Sequence, residues 1–158
     1  PFITGGGSIT RSGNSYVVRV KEIGKVSVSA TAKLDGQTKN MGSKEFRVKK
    51  VPDPQARVGG KAGGSVQKNW LAAQTGVSAV LDNFDFDLSF KVTSFTVSAM
   101  LKGGFLEDAK ANGPAFTAQQ QQLIRQVSAG KKIYIEDVEV RGPDGTVRNL
   151  GSITFKVQ

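Results

Sequence analysis

Three aspartates, Asp82, Asp85 and Asp87, with Asn83 among them, form the densest group of oxygen ligands in this chain. Clustered carboxylates serve calcium sites and glycosidases. The spacing suits neither: a calcium loop begun at Asp82 or at Asp85 lacks Gly at its sixth position and Glu at its twelfth. On a strand, Asp85 and Asp87 share the face opposite Phe84 and Phe86, about 6.5–7 Å apart, as solvated outer-face carboxylates. The glycine run from Gly59 to Gly64 resembles a phosphate-binding loop, but Ser65 stands where that chemistry needs Lys. Gly5-Gly6-Gly7-Ser8 and Gly63-Gly64-Ser65 also fail the Gly-x-Ser-x-Gly elbow of serine hydrolases. His and Cys are absent altogether, which removes imidazole acid–base chemistry, thiol nucleophiles, disulfides and Cys/His zinc sites. The residues point to no enzyme: no catalytic residue, metal ligand or cofactor site is expected.

Charge is the other chemical asset. The chain carries 22 Lys+Arg against 13 Asp+Glu, a net +9. Residues 1 to 50 hold 10 basic and 3 acidic side chains, leaving 12 and 10 for the remainder. Such a field favours an acidic partner. Arg19, Lys33, Arg47 and Lys49 lie on the polar parity of their strands and are the candidate partner-contact residues. Single-strand nucleic-acid binders interleave aromatics with basic groups on one face. Here Arg47 and Lys49 oppose Phe46 and Val48, and Tyr16 shares parity with Val18 and Val20 rather than with Arg19. No nucleic acid is therefore expected, although a basic β-sandwich binding domain, for nucleic acid or an extracellular ligand, remains the alternative class.

The elements that must position these residues are mostly strands. Val26, Val28, Ala30, Ala32 and Leu34 alternate with Ser27, Ser29, Thr31 and Lys33, and Asp35-Gly36 turns the chain. Tyr16 to Val20 and Glu45 to Val51 alternate likewise, with Phe46 and Val48 inward. A long strand has Leu88, Phe90 and Val92 inward, then Phe95, Val97, Ala99 and Leu101, so the parity slips by one residue at Thr93-Ser94 and predicts a bulge. Lys132 to Arg141, a turn at Gly142-Pro143-Asp144-Gly145, and Thr146 to Val157 form a hairpin. Two short helices interrupt the strands. Ser65 is placed to cap one carrying Val66, Trp70 and Leu71, with Gly76 ending it. Thr117 and Gln120 match a capping box for a second over 118–128, with Leu123, Ile124 and Val127 as its apolar stripe and Gly130 as its C-terminal cap. Trp70 and most Phe fall on inward parity and read as core.

Val51-Pro52-Asp53-Pro54 is the boundary, because each proline fixes its own φ and forces the preceding residue to be extended. Residues 1–50 read as the C-terminal part of a penultimate β-sandwich domain, 51–54 as a proline linker outside either core, and 55–158 as a C-terminal β-rich domain. The first stretch offers about four strands, short of the ~7 of an immunoglobulin-like sandwich. Upstream sequence or a strand exchanged from a second copy would complete it. The chain begins at Pro1 and reads as the middle of something longer. No apolar run approaches the ~20 residues that cross a bilayer.

Several stretches resemble, in order and with similar spacing, the C-terminal periplasmic part of the GldM/PorM family of the gliding-motility and type IX secretion machinery. They are Phe46 to Pro54, Val58-Gly59-Gly60, Leu71-Ala72-Ala73-Gln74, Asn83 to Asp87, Val92-Thr93-Ser94-Phe95, Tyr134-Ile135-Glu136-Asp137 and Gly142 to Arg148. The resemblance implies immunoglobulin-like β-sandwich domains in series within a periplasmic homodimer. It implies an inner-membrane anchor whose helix, absent here, pairs with GldL/PorL in a proton-driven motor. It also implies a far end that meets the outer-membrane-associated GldK/GldN (PorK/PorN) ring. On that reading the chain is a non-enzymatic shaft module passing force between the two membranes, with Pro52 and Pro54 as a stiff joint.

Overall fold

A computed structural model describes residues 1–82, 84 and 88–158, and the chain divides into two compact units, Pro1–Val51 and Pro52–Gln158. It is mainly β with two short helices, both in the second unit, in agreement with the expected β-sandwich class.

The first unit contains β1 (Phe2–Thr4), β2 (Gly7–Ser12), β3 (Ser15–Val20), β4 (Gly24–Leu34) and β5 (Gln37–Val48). β1, β4 and β5 make an antiparallel sheet in that order, and β2 pairs with β3 as a separate ribbon. Leu34 pairs with Gln37 across Asp35 and Gly36, whose φ values of 52° and 76° are the two positive angles that a tight two-residue hairpin turn needs. Val26 is buried, but Phe46, directly opposite it on β5, stays 47% exposed, with the Lys44 ammonium 5.7 Å from its ring. The inward assignment of Phe46 thus holds for side-chain parity and not for burial: the cover that shields Val26 does not extend over Phe46.

The second unit contains β6 (Gln55–Arg57), β7 (Gly64–Val66), α1 (Lys68–Ala72), β8 (Ser78–Val80), β9 (Lys91–Met100), β10 (Leu106–Ala111), α2 (Ala118–Gln126), β11 (Lys132–Arg141), β12 (Val147–Leu150) and β13 (Ile153–Val157). One sheet runs β10-β9-β11-β13-β7, with β12 on the far half of β11; β6 and β8 form a small ribbon. Phe95, Val97, Ile133, Ile135, Ile153 and Phe155 fill its core face at no more than 2% exposure. Each such side chain contributes roughly 1.5–3 kcal/mol by leaving water. The expected parity slip is present: Glu139 pairs with Ser94 and Val140 with Val92, so Thr93 is the extra residue. Its hydroxyl reaches the Glu139 carbonyl at 3.1 Å and the Glu139 carboxylate at 2.9 Å.

The helices differ from expectation at their ends. Ser65 does not cap α1; it lies in β7, opposite Lys156 of β13 in the parallel pair, and Val66 is buried there as a strand residue. Gln67 precedes α1 without a side-chain cap bond. Pairing with β13 satisfies three residues' backbone groups, which a single cap hydrogen bond does not match. Gly76 lies beyond the end of α1, at Ala72, and bridges to Ala115. A Cβ there would run into the Pro114 carbonyl oxygen, so only glycine fits. For α2 the capping box is real: Gln120 N–H donates to Thr117 Oγ1 at 3.2 Å, and Thr117 N–H to Gln120 Oε1 at 3.0 Å. The wholly buried Gln120 also donates from Nε2 to the Ala109 carbonyl of β10 at 2.9 Å, tying helix to sheet. α2 ends at Gln126 rather than 128, because extended Val127 is pulled fully into the core; Gly130 instead donates its N–H to the Val157 carbonyl.

Candidate functional site

Among the described residues, the most connected charged side chain is Arg148, which holds the segment where the second unit begins. Gly142 to Gly145 turn the chain between β11 and β12, closed by Gly145 N–H to the Gly142 carbonyl at 3.0 Å, with Pro143 second and Gly145 fourth as the sequence suggested. Inside the turn, Asp144 accepts from Thr146 Oγ1 at 2.7 Å and from Thr146 N–H at 3.0 Å. The Thr146 hydroxyl, then its backbone N–H, then the Arg148 charge hold the Asp144 carboxyl below its ordinary value. Arg148, on β12, sits four residues after Asp144, with Nη2 3.6 Å from Oδ2.

The same guanidinium reaches back to the first residues of the unit. Arg148 Nη1 donates to the Pro52 carbonyl at 3.0 Å and to Asp53 Oδ1 at 2.9 Å, and its planar group lies 5.0 Å from the centre of the buried Phe90 ring. Its side chain is 11% exposed, whereas Asp53 is 64% exposed. A rigid planar fork on an aromatic face is what arginine provides and lysine does not. Gly142 leaves room for it: a Cβ there would lie 2.7 Å from Asp144 Oδ1 and 3.0 Å from the Phe90 ring. Hydrogen bonds of a charged group contribute roughly 1.5–3 kcal/mol each. The arrangement fixes the leading segment of the unit to its sheet.

Pro54 is buried in the second unit, so the expectation that the prolines stand outside either core fails for it; Pro52 is exposed. The reason is visible in the clamp, since anchoring residues 52 and 53 delivers Pro54 to the start of β6, beside Ala56, Gly151 and Ile153.

The four basic candidates are all exposed, but they do not converge. Arg19 pairs with Ser8 in the β2–β3 ribbon. Arg47 lies opposite Lys25, which is ion-paired with Glu45 at 2.8 Å, and Lys33 lies opposite Thr38. Eight residues separate Lys25 from Lys33 along β4, so Arg47 and Lys33 stand about 27 Å apart at the two ends of one sheet. Lys49 follows the end of β5. Of the aspartate group, Asp82 pairs with Arg57; Asp85 and Asp87, with Asn83 and Phe86, lie outside the described residues. Among the described residues no three potential ligands gather around a metal position, and no helix is long and apolar enough to cross a membrane.

Residues 52–158 match the family described as the GldM C-terminal domain, and residues 1–49 match the GldM third domain. The chain belongs to the GldM family. Its domains are those of gliding-motility and type IX secretion proteins. Comparison with curated proteins gives no match. Within the GldM C-terminal domain, Arg148 is the functional candidate that sequence reasoning missed. Its four-residue spacing from Asp144 was legible as a local turn, but its other carboxylate partner lies 95 residues away, and no local pattern announces that pairing.

Proposed function

We propose that this chain is a non-enzymatic, periplasmic shaft module of the gliding and type IX secretion machinery, passing displacement from an inner-membrane motor to an outer-membrane-associated assembly. The supporting observation is the Arg148 clamp. A pull or twist reaching Pro52 is taken up by a guanidinium seated on the sheet rather than dissipated in a loose linker. In this reading the full protein is a homodimer anchored in the inner membrane, GldL/PorL drives it and the GldK/GldN (PorK/PorN) ring receives it. Because Arg19, Lys33, Arg47 and Lys49 are dispersed, they would serve as separate rim contacts that tune association rate and salt sensitivity rather than as one patch.

The test uses the intact protein in cells. Asp53→Ala removes one grip of the clamp at an exposed position, and Arg148→Lys keeps the charge without the fork. Both should lower secreted-cargo levels or gliding at matched protein abundance, Arg148→Lys more strongly. Undiminished activity in both strains overturns the proposal.

A further inference from the structure

The opposite end of the second unit's sheet carries a different chemistry. β9 runs from Lys91, which pairs with Arg141 near the clamp, to Met100, some 30 Å away by strand rise. Beyond Met100 the chain turns through Lys102-Gly103-Gly104, closed by Leu101 N–H to the Phe105 carbonyl at 2.9 Å and Gly104 N–H to the Leu101 carbonyl at 3.2 Å. Phe105 is 72% exposed, Leu106 64% and Met100 45%, a concentration of bare apolar surface; elsewhere in the unit only Val147, near the opposite end, is as exposed among the described large apolar side chains.

Lysines surround this tip. Leu106 pairs with Met100, and Lys132 pairs with Lys156, one step outward from the rung where Ile133 meets Ala99 and Phe155. Leu106, Met100, Lys132 and Lys156 therefore occupy one rung across four adjacent strands, about 5 Å apart from strand to strand. They lie on the face away from buried Ala99, Ile133 and Phe155. Exposed Lys131 and Lys102 flank the rung. Glu107 and Asp108 stand behind the tip on β10.

We propose that this end of the second unit seats on an anionic phospholipid bilayer. Phe105 and Leu106 enter the boundary between headgroups and acyl chains, and Lys102, Lys131, Lys132 and Lys156 meet the lipid phosphates. The composition selects a lipid surface over an acidic protein. Protein interfaces are enriched in Arg and depleted in Lys, and a carboxylate-lined pocket is best met by guanidinium forks. Here all four cations are long, flexible lysines, which reach along an apolar surface to a charged one, around an apolar tip small enough to insert. Glu107 and Asp108 limit insertion to that tip. The inference goes beyond the shaft reading and does not depend on it.

The experiment is vesicle flotation of the whole chain, with phosphatidylglycerol and phosphatidylethanolamine in equal parts against phosphatidylcholine alone. A Phe105→Trp variant reports depth. The chain should float with the anionic vesicles only, and the introduced indole should shift to the blue and be quenched by spin-labelled lipid. Trp70, packed edge-on against Phe155 and beneath Lys61, should not be quenched in the wild type. Each lysine near an anionic surface strengthens binding roughly fivefold, so Lys131→Gln with Lys132→Gln should weaken it by about an order of magnitude or more. Lys33→Gln with Arg47→Gln should change it much less. Flotation with an unquenched indole would overturn the proposal in favour of the basic strands of the first unit. No flotation at low salt would overturn it in favour of a protein partner. Either failure would leave the shaft reading intact, because that is decided by Asp53 and Arg148 in cells.

Discussion

In the second unit Phe95, Val97, Val138, Val140 and Phe155 are completely shielded, and helices α1 and α2 supply a layer over the sheet; in the first unit Val26 alone among the described residues is a buried apolar side chain. Tyr16, Val18, Val20, Leu34 and Phe46 of the first unit remain between 39% and 51% exposed. Both units alternate apolar and polar residues equally well. A sheet needs a second layer over its apolar face before alternation becomes a core, and in the first unit such cover shields little beyond Val26. The first unit therefore stands to gain most from a layer supplied by a second copy of the chain.

The sharpest way to break this contrast is a pair of truncations. Phe95→Ala removes a fully buried ring that packs edge-on against Phe116 at 5.6 Å. It should lower the stability of the second unit by about 3–5 kcal/mol in urea unfolding. Phe46→Ala should cost under about 1 kcal/mol in a monomer, because half of that ring is already wet. A much larger, concentration-dependent loss at Phe46, with a dimer in sedimentation equilibrium, would show the first unit's face to be covered by its copy.

The prolines divide in the same way. Pro54→Gly should destabilise the second unit by about 1–2 kcal/mol, through added freedom of the unfolded chain and lost burial, while exposed Pro52→Gly should cost roughly half as much. Equal effects in thermal unfolding would mean that Pro54 gains nothing from its buried position. Replacing both prolines by glycine consequently tests stability as well as joint stiffness, and in cells that variant has to be read beside Pro52→Gly alone.

Smaller still is the capping box. Thr117→Ala should lower stability by about 1 kcal/mol, whereas Thr117→Ser should restore most of it. A null result on urea unfolding would show that Gln120, through Ala109, holds α2 without the cap.

The smallest effect concerns acid. Asp144 has a carboxyl value lowered on folding, chiefly by the Thr146 hydroxyl. A lowered value means that ionised Asp144 adds stability above the ordinary carboxylate range and that this contribution fades as pH falls through the folded value. Asp144→Asn should lower stability slightly at neutral pH, where the carboxylate's contribution is fully present, and leave it nearly unchanged below the carboxylate range, so that the acid limb of the stability curve flattens. An unaltered limb would remove Asp144 from the acid response of the turn.

Residue order by itself determined the longer strands, the Asp35-Gly36 and Gly142–Gly145 turns, the Thr117–Gln120 cap and the bulge at Thr93, because each depends on side-chain parity or on neighbours a few residues apart. The same locality explains the misses. Ser65 has the type of an N-cap, yet its place in β7 follows from β13, some ninety residues later in the chain. Val127 continues the apolar stripe of α2, yet the core draws it out of the helix. Arg148 carries its local relation to Asp144 in the sequence, but its grip on Pro52 and Asp53, and with it the burial of Pro54, arises only when β12 pairs with β11 and brings the two ends of the unit together. Parity says which side a residue faces; whether another layer waits on that side, as it does for Phe95 and does not for Phe46 within its unit, is decided by contacts between segments that no local spacing encodes.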